Sequence, residues 1–177
     1  MGYFSRKSVF YHNAFPLTFS FKCKRKTDWK IRKFKVQYCI IGDIQNRLYP
    51  KRLNSYYHVV QWATVRLILI FQCIIGLQSQ SIDFTNAFAQ AYIPSGEPVF
   101  IELPRYFKSY GEQGDVVLRL KKSLYIQAKA ARLWYEKLLN CLLERGFVMS
   151  KVDPCLFMSN IVICVVYVDD CLFWARS

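Results

Sequence analysis

The chain has 177 residues, enough for one domain with a real core, and its 53% hydrophobic content excludes disorder throughout. Its net charge is +13, and the excess lies at the front: residues 1–60 hold 13 Lys and Arg against two acids, Asp28 and Asp43. That asymmetry points to a polyanionic partner, nucleic acid first among them, with a solvated basic face as the plainer alternative.

Residues 1–17 show little pattern and read as a poorly ordered lead. Residues 18–26 and 32–39 are β-like runs around Thr27-Asp28-Trp29-Lys30, a plausible basic hairpin. Residues 42–57, with Asn46, Pro50 and Asn54, read as loop. Residues 62–75 predict a helix with Val65, Leu69, Gln72 and Cys73 along one side and apolar residues over most of the rest, hence a largely buried helix. Residues 78–84 predict a strand ending at Asp83. A turn at Thr85-Asn86 then leads into a short helix through Ala91.

Pro94-Ser95-Gly96 breaks the chain, and residues 99–103 and 116–120 read as short strands. Residues 128–145 give the clearest amphipathic helix, with Ala131, Trp134, Leu138 and Leu142 on one face and Gly146 as its stop. The mix is α+β, with helices packed on a small antiparallel sheet.

Seven cysteines, at 23, 39, 73, 141, 155, 164 and 171, include no pair with zinc-site spacing. They suggest reduced thiols in an intracellular protein. Residues 1–20 lack the apolar core of a signal peptide. The longest apolar stretch, 65–77, is interrupted by Arg66 and Gln72 and is too short to span a bilayer. No membrane partner is expected.

The most informative segment is Ile161-Val162-Ile163-Cys164-Val165-Val166-Tyr167-Val168-Asp169-Asp170-Cys171-Leu172-Phe173-Trp174. An apolar β-branched run meets two carboxylates and a second apolar run follows, as in a buried hairpin with Asp169 and Asp170 at its turn. Carboxylates in an apolar setting need a positive partner, and Mg²⁺ suits them while leaving positions open for phosphates. An ordinary polar turn is the competing reading. Asp169 and Asp170 are adjacent, so extended backbone would point them to different sides and a third acid must come from elsewhere. Asp83, ending a predicted strand, is the best candidate. Glu97, Glu102 and Asp115 read as surface acids, and Asp153, before Pro154, as a cap or turn residue.

Six segments in order then carry a family resemblance. They are Val59-Val60-Gln61-Trp62-Ala63-Thr64-Val65-Arg66, residues 83–88, Leu120-Lys121-Lys122-Ser123-Leu124-Tyr125, Ala131-Arg132-Leu133-Trp134-Tyr135, Asp153-Pro154-Cys155-Leu156-Phe157, and Tyr167-Val168-Asp169-Asp170. Over roughly residues 19–175 the chain resembles the reverse transcriptase of copia-type LTR retrotransposons. The resemblance implies the fingers and partial palm of a right-hand polymerase, without a thumb. It implies a basic fingers-like hairpin and connection over 18–60 and a partial palm with the catalytic hairpin over 61–177.

It further implies RNA-directed DNA synthesis with two Mg²⁺ ions, Mn²⁺ being an alternative, on a primed RNA or DNA template with dNTPs. Asp83, Asp169 and Asp170 would be the metal-binding catalytic triad. Phe88 would crowd the sugar 2′ side, although plain core packing is its other reading. Tyr125 would line the nucleotide pocket with Lys35, and Lys24, Arg25, Lys26, Arg32 and Lys33 would contact nucleic acid. The remainder of a retroelement polyprotein and a cytoplasmic virus-like particle are the implied setting.

The chain departs from the family at two positions. Ile126 stands where the family usually has Gly, and Lys35-Val36-Gln37-Tyr38 replaces Lys-Ala-Arg-Leu. A positive φ at residue 126 would suit a β-branched side chain poorly. An inactive truncated relic and a non-catalytic basic nucleic-acid-binding module are the alternatives to an active polymerase.

Overall fold

The computed structural model describes residues 2–5, 14–41, 57–103 and 116–176. The expected loop at 42–56 and the connection at 104–115 lie outside the described residues. The chain divides into two compact units built from interleaved stretches, Met1–Ser55 with Phe88–Ala130, and Tyr56–Ala87 with Ala131–Ser177.

In the first unit β1 (Gly2–Ser5) and β2 (Ala14–Phe15) are strands where the composition gave no pattern. They join β6 (Phe100–Glu102) and β7 (Val116–Arg119) in a four-stranded sheet of order β1-β7-β6-β2. The β2–β6 pair is parallel and the others antiparallel. Phe15, Ile40, Ile101, Leu118 and Leu120 form the core.

A separate hairpin in this unit joins β3 (Leu17–Arg25) to β4 (Ile31–Ile40), close to the predicted runs. Its alternation gives it two unlike faces. Phe19↔Tyr38, Phe21↔Val36 and Cys23↔Phe34 share one face, and Lys22↔Lys35 and Lys24↔Lys33 share the other.

The second unit holds a five-stranded antiparallel sheet of order β5-β11-β10-β9-β8. Its strands are β5 (Gln78–Asp83), β8 (Val148–Met149), β9 (Leu156–Met158), β10 (Val162–Tyr167) and β11 (Asp170–Ala175). Apolar β10 lies at the centre, with Cys164, Val165 and Val166 buried. Polar β5 lies at the edge with all six residues exposed, as suits an edge strand. Helix α1 (Trp62–Ile75) packs Ile68 and Val65 against Val165 and Trp174. Helix α2 (Ala130–Glu144) buries Trp134, Leu138 and Leu142. Gly146 ends it at φ +80°, where Phe147 N–H donates to Leu142 O.

One expectation is corrected here. Helix α1 is not largely buried: only Thr64 and Ile68 are, while Leu67, Ile70 and Ile74 are exposed. A helix lying on one sheet face covers one narrow stripe, and apolar residues around its circumference do not create further neighbours.

Two distant contacts fix this unit. Gln72 of α1 accepts from the Trp174 indole at 2.8 Å and donates to Ser79 at 3.1 Å. Ser79 and Trp174 are directly opposed in the β5–β11 ladder, so one helix side chain bridges one rung.

Asp153 is fully buried and anchors the start of α1. It accepts from Gln61 N–H at 3.0 Å, from the Thr64 hydroxyl at 2.6 Å and from Cys155 N–H at 2.9 Å. It supplies the cap that Gln61 lacks, from 92 positions away, where the helix dipole favours an anion. Asp153→Ala should therefore cost about 3 kcal/mol in urea unfolding, and Asp153→Asn roughly half as much because one acceptor survives.

Candidate active site

The turn between β10 and β11 consists of Val168 and Asp169, closed by the Tyr167↔Asp170 pair. Asp170 is thus the first residue of β11 rather than part of the turn proper. Its partner on the other side is Asp83, the last residue of β5. Directly opposed residues in an antiparallel ladder lie with Cβ atoms about 4.5–5.5 Å apart. The structure therefore brings Asp83, Asp169 and Asp170 to one end of one sheet, although 86 positions separate the first two. The strands are apolar and buried, but this end is not: Asp83 and Asp170 are exposed and Asp169 half-buried. The expected apolar burial holds for the hairpin body and not for its tip.

Two bonds reach the turn from outside the hairpin. Phe84 N–H donates to Asp169 O at 3.1 Å, and the Trp134 indole N–H donates to Val168 O at 2.8 Å. The Phe84 and Trp134 rings meet edge to face, with centroids 5.2 Å apart. Val168 has φ +56°, a left-handed conformation that a β-branched residue adopts only under constraint.

Partial burial and the neighbouring Asp169 and Asp83 carboxylates raise the pKa of Asp170. Ionising it therefore costs folding free energy, and stability from this source declines as pH rises through the carboxylate range. A divalent cation among the three would reverse that penalty, and an all-carboxylate donor set suits Mg²⁺ or Mn²⁺. Among the described residues no group of three or more His, Cys, Asp or Glu is already drawn together as a metal-holding cluster, so the three carboxylates would have to turn toward one another to share an ion. Asp83, Asp169 and Asp170 share one solvent-facing end of the sheet.

The nucleotide-side candidates converge separately, in the first unit. Phe88 and Tyr125 meet edge to face at 5.2 Å, and Lys35 Nζ lies 5.8 Å from the Tyr125 ring centroid. Cys39 and Tyr125 form a β-bridge, with Ile40 N–H donating to Tyr125 O at 3.4 Å. Tyr125 is thereby tied to the strand that carries Lys35. The candidate cations Lys24, Arg25, Lys26, Arg32 and Lys33 are all exposed on the hairpin or its turn. Lys22 belongs with them, because it faces Lys35 on the same side as the Lys24↔Lys33 pair. Period-two alternation in the sequence would have identified it. Opposed like charges destabilise a bare hairpin and suit a polyanion laid across them.

Ile126 has φ +65°, the left-handed backbone that favours glycine. Its side chain is exposed, so no packing offsets the strain. Ile126→Gly should stabilise the chain by about 1 kcal/mol, the relief of a left-handed β-branched residue less the greater entropy of Gly when unfolded. Urea unfolding of Ile126→Gly beside Ile126→Ala measures it, with no gain expected for Ala.

Residues 8–177 match the family model described as reverse transcriptase (RNA-dependent DNA polymerase). A retrovirus-related Pol polyprotein from transposon TNT 1-94 of Nicotiana tabacum is 27% identical over 162 residues, covering 89% of this chain and 12% of that protein. Those from transposons RE1 and RE2 of Arabidopsis thaliana are 30% identical over 156 residues and 32% identical over 118 residues. They cover 86% and 64% of this chain, and 10% and 8% of those proteins. The chain thus spans about a tenth of the length of the curated relatives it matches. No solved structure matches it. With the ordered motifs, the convergent aspartates and a match over nearly its whole length, the chain belongs to the reverse transcriptase (RNA-dependent DNA polymerase) family.

Proposed function

We propose that this chain carries the catalytic aspartates of an RNA-directed DNA polymerase of the copia type, in which Asp83, Asp169 and Asp170 hold two Mg²⁺ ions. The single observation that carries the reading is the direct Asp83↔Asp170 pairing beside Asp169, in a chain that matches the family over residues 8–177. Mn²⁺ is an alternative ion. Bound there, the metal would neutralise charge on the reacting phosphates and lower the barrier to attack by the primer 3′-hydroxyl. The ladder between β5 and β11 sets the spacing of the ligands, and the open end of the sheet leaves room for phosphate oxygens.

The remaining candidates follow the same reading. The five-stranded sheet with α1 and α2 corresponds to part of the palm, and the β3–β4 hairpin to fingers. Tyr125 and Phe88 offer an aromatic wall for an incoming dNTP, with Phe88 placed to crowd the sugar 2′ position. Lys35 supplies charge for the triphosphate. The Lys22, Lys24 and Lys33 face, with Arg25, Lys26 and Arg32 beside it, offers cations for the template backbone. Primed RNA or DNA is the partner, within a longer retroelement polyprotein whose setting is the cytoplasmic particle. Among the described residues no helix is long and apolar enough to cross a membrane.

Primer extension on an RNA template with Mg²⁺ or Mn²⁺ tests the proposal. Extension by this chain should fall at least about a hundredfold in Asp169→Asn, as expected when one of the carboxylates that would hold the metal is lost. Equal extension by the two proteins would defeat it.

A further inference from the structure

The metal-binding turn is held in a conformation it would not choose alone. Val168 is β-branched and sits at φ +56°. In that region its Cβ crowds the following carbonyl, so relaxed backbone would move Asp169 and Asp170 with it. Two successive carbonyls of this turn are tied down from elsewhere in the same unit. Val168 O accepts from the Trp134 indole of α2 at 2.8 Å, and Asp169 O accepts from Phe84 N–H at the end of β5 at 3.1 Å. Trp134 is 3% exposed and its ring is braced by Phe84 at 5.2 Å. The indole has one donor and no acceptor, so its direction is fixed once the ring is packed.

We propose that Trp134 is a positioning residue: its indole N–H keeps Val168 at its positive φ and so places the Asp169 and Asp170 carboxylates for metal binding. The inference rests on the metal site proposed above. Phe84 serves the same purpose from the other side, linking the turn to the strand that ends at Asp83. A Trp that merely filled the core would give packing and no dependence on the conformation of residue 168. The two roles separate by substitution at the turn. Glycine at 168 adopts the left-handed region without strain, so the restraint becomes dispensable there.

Mn²⁺ titration of the full chain, followed by electron paramagnetic resonance, tests this with no need for polymerase activity. Asp170→Asn serves as the control without a site. Trp134→Phe should weaken Mn²⁺ binding roughly tenfold relative to the parent chain. Replacing Trp134 by 3-benzothienylalanine, which exchanges only the N–H for sulfur, should do the same and keeps the ring's shape if the Phe variant folds poorly. Adding Val168→Gly to either variant should restore affinity to within about threefold of Val168→Gly alone.

Unchanged Mn²⁺ affinity in both Trp134 variants would overturn the positioning role and leave the metal site standing. Weakening that Val168→Gly does not rescue would reduce Trp134 to core packing and overturn it equally. A parent chain that binds Mn²⁺ no better than Asp170→Asn would overturn the metal reading and this inference with it.

Discussion

The candidate site depends on one alignment, the antiparallel register of β5 against β11. Six rungs run from Gln78↔Ala175 to Asp83↔Asp170. A slip of one residue would turn Asp83 to the opposite face and end the convergence. Little in β5 itself prevents such a slip, because its residues are exposed, polar but for Ile82, and at a sheet edge. The restraint comes from α1, where Gln72 bonds both partners of the Ser79↔Trp174 rung. Asp153 in turn fixes the start of that helix. A chain of contacts from a buried carboxylate, through a helix, to one rung of a ladder thus determines where three other carboxylates meet.

The cost of that meeting is visible in the same residues. Asp83 and Asp170 are directly opposed carboxylates, and Asp170 resists ionisation through desolvation first and then through the Asp169 and Asp83 charges. Val168 adds backbone strain to the charge repulsion. On the basic hairpin the Lys22↔Lys35 and Lys24↔Lys33 rungs repeat the pattern with the opposite sign. Strain and like charge concentrated at a few positions are features that functional sites often carry.

Much of this was legible in the sequence, and the reasons differ by element. Alternation and β-branched residues foretold the β3–β4 and β10–β11 hairpins, and helical spacing with Gly146 foretold α2. Ordered motifs joined Asp83 to Asp169 and Asp170 across 86 positions, which periodicity alone could not do. The exposure of α1 was not legible, because hydrophobic content does not report how many neighbours exist to cover it. Asp153 was legible as a cap or turn residue before Pro154, but which helix it caps was not, because its bonds to Gln61 and Thr64 depend on tertiary placement. Trp134 looked like one more apolar residue on a helix face. The direction of its N–H toward Val168 O became apparent only once the helix and the turn were both in place. The positive φ at Ile126 was foreseeable as a condition attached to a glycine position, and the structure supplies the angle.

The central claim is that Asp83 and the β10–β11 turn form one divalent-cation site. A crystal of the chain soaked in Mn²⁺, with data collected for anomalous scattering, tests it most directly. The account predicts anomalous density within coordinating distance of carboxylate oxygens from both Asp83 and Asp169 or Asp170. Density confined to other acids, or absent from that end of the sheet while the β5–β11 register is intact, would contradict it.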